Sequence, residues 1–181
     1  QSGQYGMVVP TFINNAKNQG QSYSIYNGIK NSKNDLIVTI DGDGQNNPQD
    51  IPKLLDLFFT NKDISLVGGI RFKRKDSIIK ILSSIFANSI RSKILKDDCL
   101  DTGCSLKVFD KNIFLNFPYF NGIHRFLPAL FKGYGYKTYF INVDHRPRKE
   151  GKSNYGTIDR LYRGIIDIIK VRKIIKKNIS K

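Results

Sequence analysis

The segment 36–52, LIVTIDGDGQNNPQDIP, constrains this chain more than any other part of it. Leu36 to Ile40 carry no charge and are rich in β-branched residues, the pattern of a strand buried on both faces. That strand runs straight into Asp41-Gly42-Asp43-Gly44-Gln45. Ligands of open α/β sheets bind outside the carboxyl ends of the strands. Two carboxylates one residue apart can turn toward one point, where they repel unless a cation lies between them. Hard divalent cations such as Mg²⁺ or Mn²⁺ take oxygen ligands. Gln45 adds a carbonyl oxygen, and the glycines let the backbone approach a ligand closely. Asp, Gly and Asn also favour turns with no ligand at all, and both readings stand at this point. An EF-hand is excluded, because its ligand series and terminal Glu are absent.

The rest of the chain alternates in kind. Strands are expected over 7–13, 65–72 (interrupted at Gly68 and Gly69), 105–109 and 137–143. Helices are expected over 21–31, 50–60, 77–95 and 121–132, the last despite Pro128. In the second, Ile51, Leu54, Leu55, Phe58 and Phe59 share a face; in the third, Ile78, Ile81, Leu82, Ile85 and Phe86 point inward. Strands separated by helices predict an α/β fold with a mostly parallel sheet. At 181 residues there is room for one domain with a sizeable core. With no repeat or linker before about residue 157, the chain divides into a globular domain over 1–157 and a helix over 158–181.

Charge restricts partners more than fold. The net is +15, and residues 145–181 hold 12 Lys and Arg against 3 acidic residues, a net of +9. A polyanion, a membrane surface and a phosphorylated substrate all satisfy that excess. In the last helix Asp159, Arg160, Arg163, Asp167, Lys170, Lys173 and Lys177 trace one stripe, with Leu161, Ile165, Ile168, Ile169 and Ile175 opposite. Such a helix either lies in a membrane interface or packs its apolar side on the domain. No uncharged apolar run reaches the ~18–20 residues of a spanning helix, and no signal peptide opens the sequence. Cys99 and Cys104 make no disulfide framework or zinc set, which fits a reducing cytoplasm.

Other groups suit phosphate chemistry. Arg71 lies near a strand's carboxyl end, and Lys80 and Ser84, four apart, share a helix face. Arg146, Arg148, Gly151, Lys152 and Ser153 form a basic loop of the kind that closes over a diphosphate through bidentate arginine contacts. Arg125 is a further phosphate candidate, Arg74 a weaker one, His124 a structural histidine and Cys104 an inert core thiol. His124 and His145 are too few for a histidine metal centre, and no Ser/His/Asp nucleophile set is visible.

Several motifs in order resemble one family. TIDGDGQNNPQDIPKLL, the upstream segment from Asn18 to Ile29, and DTGCSLKVFDK, GIHRFLPAL and HRPRKEGKSNYG resemble the dolichol-phosphate mannose synthase-like family-two glycosyltransferases, over roughly 14–160. The resemblance implies a nucleotide-diphospho-sugar transferase (GT-A, Rossmann-like) fold. It also implies inverting, metal-dependent transfer of a hexose from a GDP- or UDP-sugar to a polyprenyl phosphate, dolichyl or undecaprenyl. Asp41, Asp43 and Gln45 would hold Mg²⁺ or Mn²⁺. Arg71, Lys80, Ser84, Arg125, Arg148 and Ser153 would contact substrate, with Lys80 and Ser84 on the acceptor phosphate. Asp101 would lie near sugar or acceptor as a positioning group, because a phosphate acceptor is already anionic and needs no base. Asn154 stands where the family usually has Lys.

The family opens with a strand-helix-strand unit and an Asp-Asp-Gly-Ser type motif for the nucleotide base. Neither is found here, so either the sequence begins inside the domain or VVPTFINN is what a deletion leaves of the first strand, and about 50–70 residues of the nucleotide site are expected to be lacking. The expected location is the cytoplasmic face of a membrane, with an anionic lipid surface as partner and no nucleic acid. The alternatives are the same fold with a different glycan or lipid acceptor, and a non-catalytic basic protein that binds membrane or nucleic acid.

Overall fold

The computed structural model describes residues 20–72, 78–146 and 157–179, with side chains over 20–72, 85–146 and 164–179. Helix α1 (Gln21–Lys30) is followed by β1 (Leu36–Thr39), α2 (Ile51–Thr60), β2 (Ile64–Phe72) and α3 (Ile78–Leu95). Then come β3 (Lys107–Asp110), α4 (Lys111–Leu115), α5 (Leu127–Gly133), β4 (Lys137–Asp144) and α6 (Thr157–Ile179). Short 3-10 turns, Pro48–Asp50 and Ile123–Arg125, precede α2 and α5. The strand expected over 7–13 and the residue Arg74 lie outside the described residues.

The sheet runs β1-β3-β2-β4. Strand β4 pairs parallel with β2, whereas β3 pairs antiparallel with both β1 and β2. Three strands therefore share one direction and β3 opposes them. Hydrophobic periodicity carries no direction, so this reversal was invisible in the sequence. It brings the amino end of β3 to the same edge as the carboxyl ends of the other three strands.

Successive strand residues point to opposite faces, and each face builds its own core. Ile37, Leu66 and Phe109 pack with Phe114, Leu127, Leu130 and Phe131 beneath α4 and α5. Val67, Val108 and Val143 pack with Leu54 and Leu55 of α2. The sheet thus lies between two helical layers. Asp110 starts α4 by accepting a hydrogen bond from the Ile113 amide at 2.9 Å.

Gly68 and Gly69 do not interrupt β2; they make room across it. A Cβ on Gly68 would lie 2.9 Å from the Phe140 ring, and one on Gly69 would lie 2.8 Å from Val143 and 2.9 Å from the Cys104 sulfur. Both thiols are buried, which pushes Cys99 up to about 11 and also raises Cys104.

Three sequence expectations are corrected here. The helix expected over 121–132 is broken: Gly122 is left-handed at φ 102°, a 3-10 turn follows, and α5 starts only at Leu127. Pro128 sits in the first turn of α5, where a missing N–H leaves no bond unmade. Phe59 points outward, so the apolar face of α2 is narrower than expected. Ile85 and Phe86 of α3, expected inward, are 58% and 68% exposed. The reason is that α3 is apolar on more than one side, and periodicity alone cannot say which side meets the core.

Helix α6 packs part of its apolar side on the domain and leaves part of it exposed. Val171 and Ile175 are buried, and Ile175 lies where any Gly133 side chain would be. Ile165 and Ile169 stay exposed. With Ile90 and Ile94 of α3 they line an open groove of about 570 Å³, rimmed by Arg172, Lys173 and Lys176.

Replacing Gly69 by Ala overpacks a closed site. Urea unfolding should show a loss of about 1–3 kcal/mol with an unchanged m-value.

Candidate active site at the carboxyl edge of the sheet

Strand β1 delivers Asp41 to the edge, and the following turn is held by hydrogen bonds. The Asp41 amide donates to Ser105 Oγ at 2.9 Å, and Asn46 Nδ2 donates to the same oxygen at 2.8 Å. Thr39 Oγ1 donates to the Ser105 carbonyl at 2.7 Å. Within the turn the Gln45 amide donates to Asp43 Oδ1 at 3.1 Å, and Gly44 takes a left-handed φ of 73°. Burial raises the Asp41 pKa, the Ser105 hydroxyl opposes that rise, and the neighbouring Asp43 charge adds to it. Two carboxylates that repel in a half-buried turn are a site that a hard cation relieves. Among the described residues no third His, Cys, Asp or Glu joins them to make a larger metal cluster. That donor set fits Mg²⁺ or Mn²⁺, which commonly uses one or two carboxylates together with substrate phosphates.

Beside the turn, Arg71 at the end of β2 meets Asp101. The guanidinium donates from Nε to Oδ2 and from Nη2 to Oδ1, each at 2.7 Å, and the Arg71 amide adds a bond to Oδ2 at 3.1 Å. Gly103 leaves room for the pair, since a Cβ there would lie 2.6 Å from Arg71 Nη2 and displace the guanidinium. Residues expected in separate roles, Arg71 on phosphate and Asp101 near the sugar, are thus brought together as one bidentate pair. Thr102 of the same loop donates to Asn88 Oδ1 of α3 at 3.1 Å. Arg91 of α3 reaches the Cys99 carbonyl and Asp97, so the helix also holds the start of this loop.

The third element is the end of β4. Asn46 bridges to His145, the Arg146 amide donates to the Gln45 carbonyl at 2.8 Å, and Arg146 Nη2 donates to Asn47 Oδ1 at 2.8 Å. Arg146 therefore faces the acidic turn. Arg148, Gly151, Lys152, Ser153 and Asn154 lie outside the described residues. Lys80 and Ser84 lie on α3, but their side chains are outside the described set. Arg125 pairs with Asp167 of α6 at 2.6 Å, which ties that helix to the domain.

Four site residues carried no readable signal in the sequence. Lys107 is fully enclosed, its Nζ donates to the Cys104 carbonyl, and burial lowers its pKa while Asp101 and Asp41 pull it back up. Ser105, Asn46 and Asn47 look like ordinary strand and turn residues until the fold brings distant segments together. His124 is half-buried and hydrogen-bonds within the scaffold. Ser22 Oγ accepts from the Gly122 amide at 2.7 Å and shares a second hydrogen bond with His124 Nδ1 at 3.1 Å. Burial and the nearby Arg125 and Lys107 charges push His124 from 6.5 down to about 4.

Comparison with known proteins agrees with this architecture. The sequence model of the family described as glycosyl transferase family 2 matches residues 10–117. The chain belongs to that family, and its fold is the nucleotide-diphospho-sugar transferase fold. A dodecaprenyl-phosphate galacturonate synthase of Rhizobium johnstonii is 34% identical over 158 residues, covering 86% of this chain and 46% of the relative. An undecaprenyl-phosphate 4-deoxy-4-formamido-L-arabinose transferase of Edwardsiella ictaluri is 31% identical, covering 82% of this chain and 45% of the relative. The chain thus spans about half the length of the curated relatives it matches. Among solved structures, glucosyl-3-phosphoglycerate synthase of Mycobacterium tuberculosis with Mg²⁺ and uridine-diphosphate superposes with a TM-score of 0.60. It shares 15% identity and covers 83% of this chain and 53% of its own. The same enzyme with Mn²⁺, UDP-glucose and glycerol 3-phosphate gives a TM-score of 0.57 at 14% identity, covering 83% and 52%.

His124 gives a pH test. Its depressed pKa means the unfolded chain binds a proton that the folded one refuses between pH 6.5 and about 4. Stability should be unaffected above that window and fall by up to about 3 kcal/mol across it on acidification. Imidazole proton NMR should show His124 neutral at pH 5.5, and His124→Gln should flatten the stability profile.

Proposed function

We propose that the protein transfers a hexose from a nucleotide-diphosphate sugar, GDP- or UDP-linked, to a polyprenyl phosphate such as dolichyl or undecaprenyl phosphate. One observation carries this reading: the Asp41–Asp43 turn and the Arg71–Asp101 pair meet at one sheet edge, so carboxylates and a fixed cation face the same space. The relatives named for dodecaprenyl- and undecaprenyl-phosphate chemistry support the acceptor class.

Asp41 and Asp43, with the Gln45 side-chain carbonyl, would hold Mg²⁺ or Mn²⁺. When bound, the cation would neutralise charge on the departing diphosphate. Arg71 orients an anionic oxygen, and Asp101 keeps its planar guanidinium aimed. Lys80, Ser84, Arg148 and Ser153 complete the phosphate contacts in this reading. The acceptor oxygen arrives ionised, so a direct displacement with inversion at the anomeric carbon needs no proton transfer.

The acceptor's lipid chain places the site beside a membrane, on its cytoplasmic face in this reading. No helix of the described residues is long and apolar enough to cross a bilayer. The exposed Ile90 and Ile94 of α3 and Ile165 and Ile169 of α6 instead line one apolar groove. Arg172, Lys173 and Lys176 along it match an anionic leaflet, each worth ~1 kcal/mol near the surface.

Two measurements test this. In the intact protein, Asp43→Ala should slow transfer of labelled sugar to undecaprenyl phosphate by at least about a hundredfold; unchanged transfer would sink the metal assignment. Flotation with vesicles containing phosphatidylglycerol should recover the wild type. The double variant Ile165→Glu, Ile169→Glu should stay in solution, because both side chains are exposed and their loss leaves the core intact.

A further inference from the structure

We propose that Arg146, acting with Asn47, is a positioning residue that braces the Asp41–Gln45 turn in its cation-binding shape. The inference rests on reading that turn as the metal site. It moves Arg146 out of the phosphate-binding loop suggested by its sequence.

The turn has little to hold it by packing. The space around the Cβ positions of Gly42 and Gly44 is open, and glycine loses more conformational freedom on ordering than any other residue. Its shape therefore depends on hydrogen bonds at its two ends. Ser105 fixes the entry through the Asp41 amide. The exit is fixed from β4, about a hundred residues away in sequence.

That exit brace is dense. The Arg146 amide donates to the Gln45 carbonyl at 2.8 Å, and its guanidinium donates to Asn47 Oδ1 at 2.8 Å. Asn47 is 6% exposed; its Oδ1 also accepts the Gln49 amide at 3.1 Å, and its Nδ2 donates to Asp144 at 3.3 Å. Asp50, 1% exposed, accepts the Asp144 amide at 2.8 Å. The Arg146 main chain thus meets the turn at Gln45, and its side chain holds Asn47 two residues beyond. The guanidinium contact goes through one nitrogen to a neutral amide oxygen, whereas a phosphate-binding arginine commonly presents two parallel donors.

Electrostatics gives a test whose sign separates the brace from a simple charge effect. Removing a nearby positive charge on its own strengthens cation binding. Loss of the brace weakens it, because the cation must then order the glycine turn. Mn²⁺ uptake followed by electron paramagnetic resonance in the intact protein should therefore be about tenfold weaker in Arg146→Ala. Arg146→Lys should recover most of it, since one donor is enough. Amide hydrogen exchange at Gln45 and Gln49, measured without metal, should speed up in Arg146→Ala and return toward wild type in Arg146→Lys. Asp43→Ala reports whether the Mn²⁺ measured sits at this turn. If wild type binds no Mn²⁺, the metal reading fails, and exchange at Gln45 and Gln49 still decides the brace. Equal or tighter Mn²⁺ binding in Arg146→Ala, or unchanged exchange at both amides, overturns the proposal.

Discussion

The hydroxyl of Ser105 is the point on which the site depends. It accepts from the Asp41 amide and from Asn46, so it fixes both arms of the acidic turn against one strand. It can do so only because β3 runs against its neighbours and brings its amino end to their carboxyl edge. The same reversal presents Asp101 to Arg71, just upstream on the same segment. One reversed strand therefore places carboxylates, a guanidinium and the buried Lys107 within one small region. Removing the Ser105 hydroxyl would leave a buried Asn46 amide and a backbone amide short of an acceptor, each costing roughly 1–3 kcal/mol.

How legible this was in the sequence varied with the range of the interaction. The acidic turn was legible because strand, paired carboxylates and glycines are all local. Arg71 was legible from its place at a strand's end. Lys107 was not: a lysine in an alternating strand reads as solvent-facing, and only the enclosing segments make it a core cation. Asn47 reads as a turn former, and its bond to Arg146 joins residues far apart in sequence. Helix α3 shows the opposite difficulty. Its apolar residues are plain in the sequence, but a helix apolar on more than one side does not state which side is buried, and Ile85 and Phe86 face out.

Several of the cations now have places. Arg71 is matched by Asp101 and Arg125 by Asp167, so these cations are built into the scaffold. Arg146 is committed to a turn that is itself anionic. Arg172, Lys173 and Lys176 instead border an apolar groove. The two ion pairs cancel and add nothing to the net of +15, so the excess lies with the other cations of the chain.

The two enclosed thiols have a practical consequence. Cys99 and Cys104 sit under the loop that carries Asp101, and burial keeps both in the unreactive protonated form. A thiol reagent can reach them only when that loop or the sheet beneath it opens. The pair is thus a native clock: the rate at which it is alkylated measures how often the edge that carries the acidic turn comes apart, with no label introduced and no other cysteine in the chain to confuse the reading.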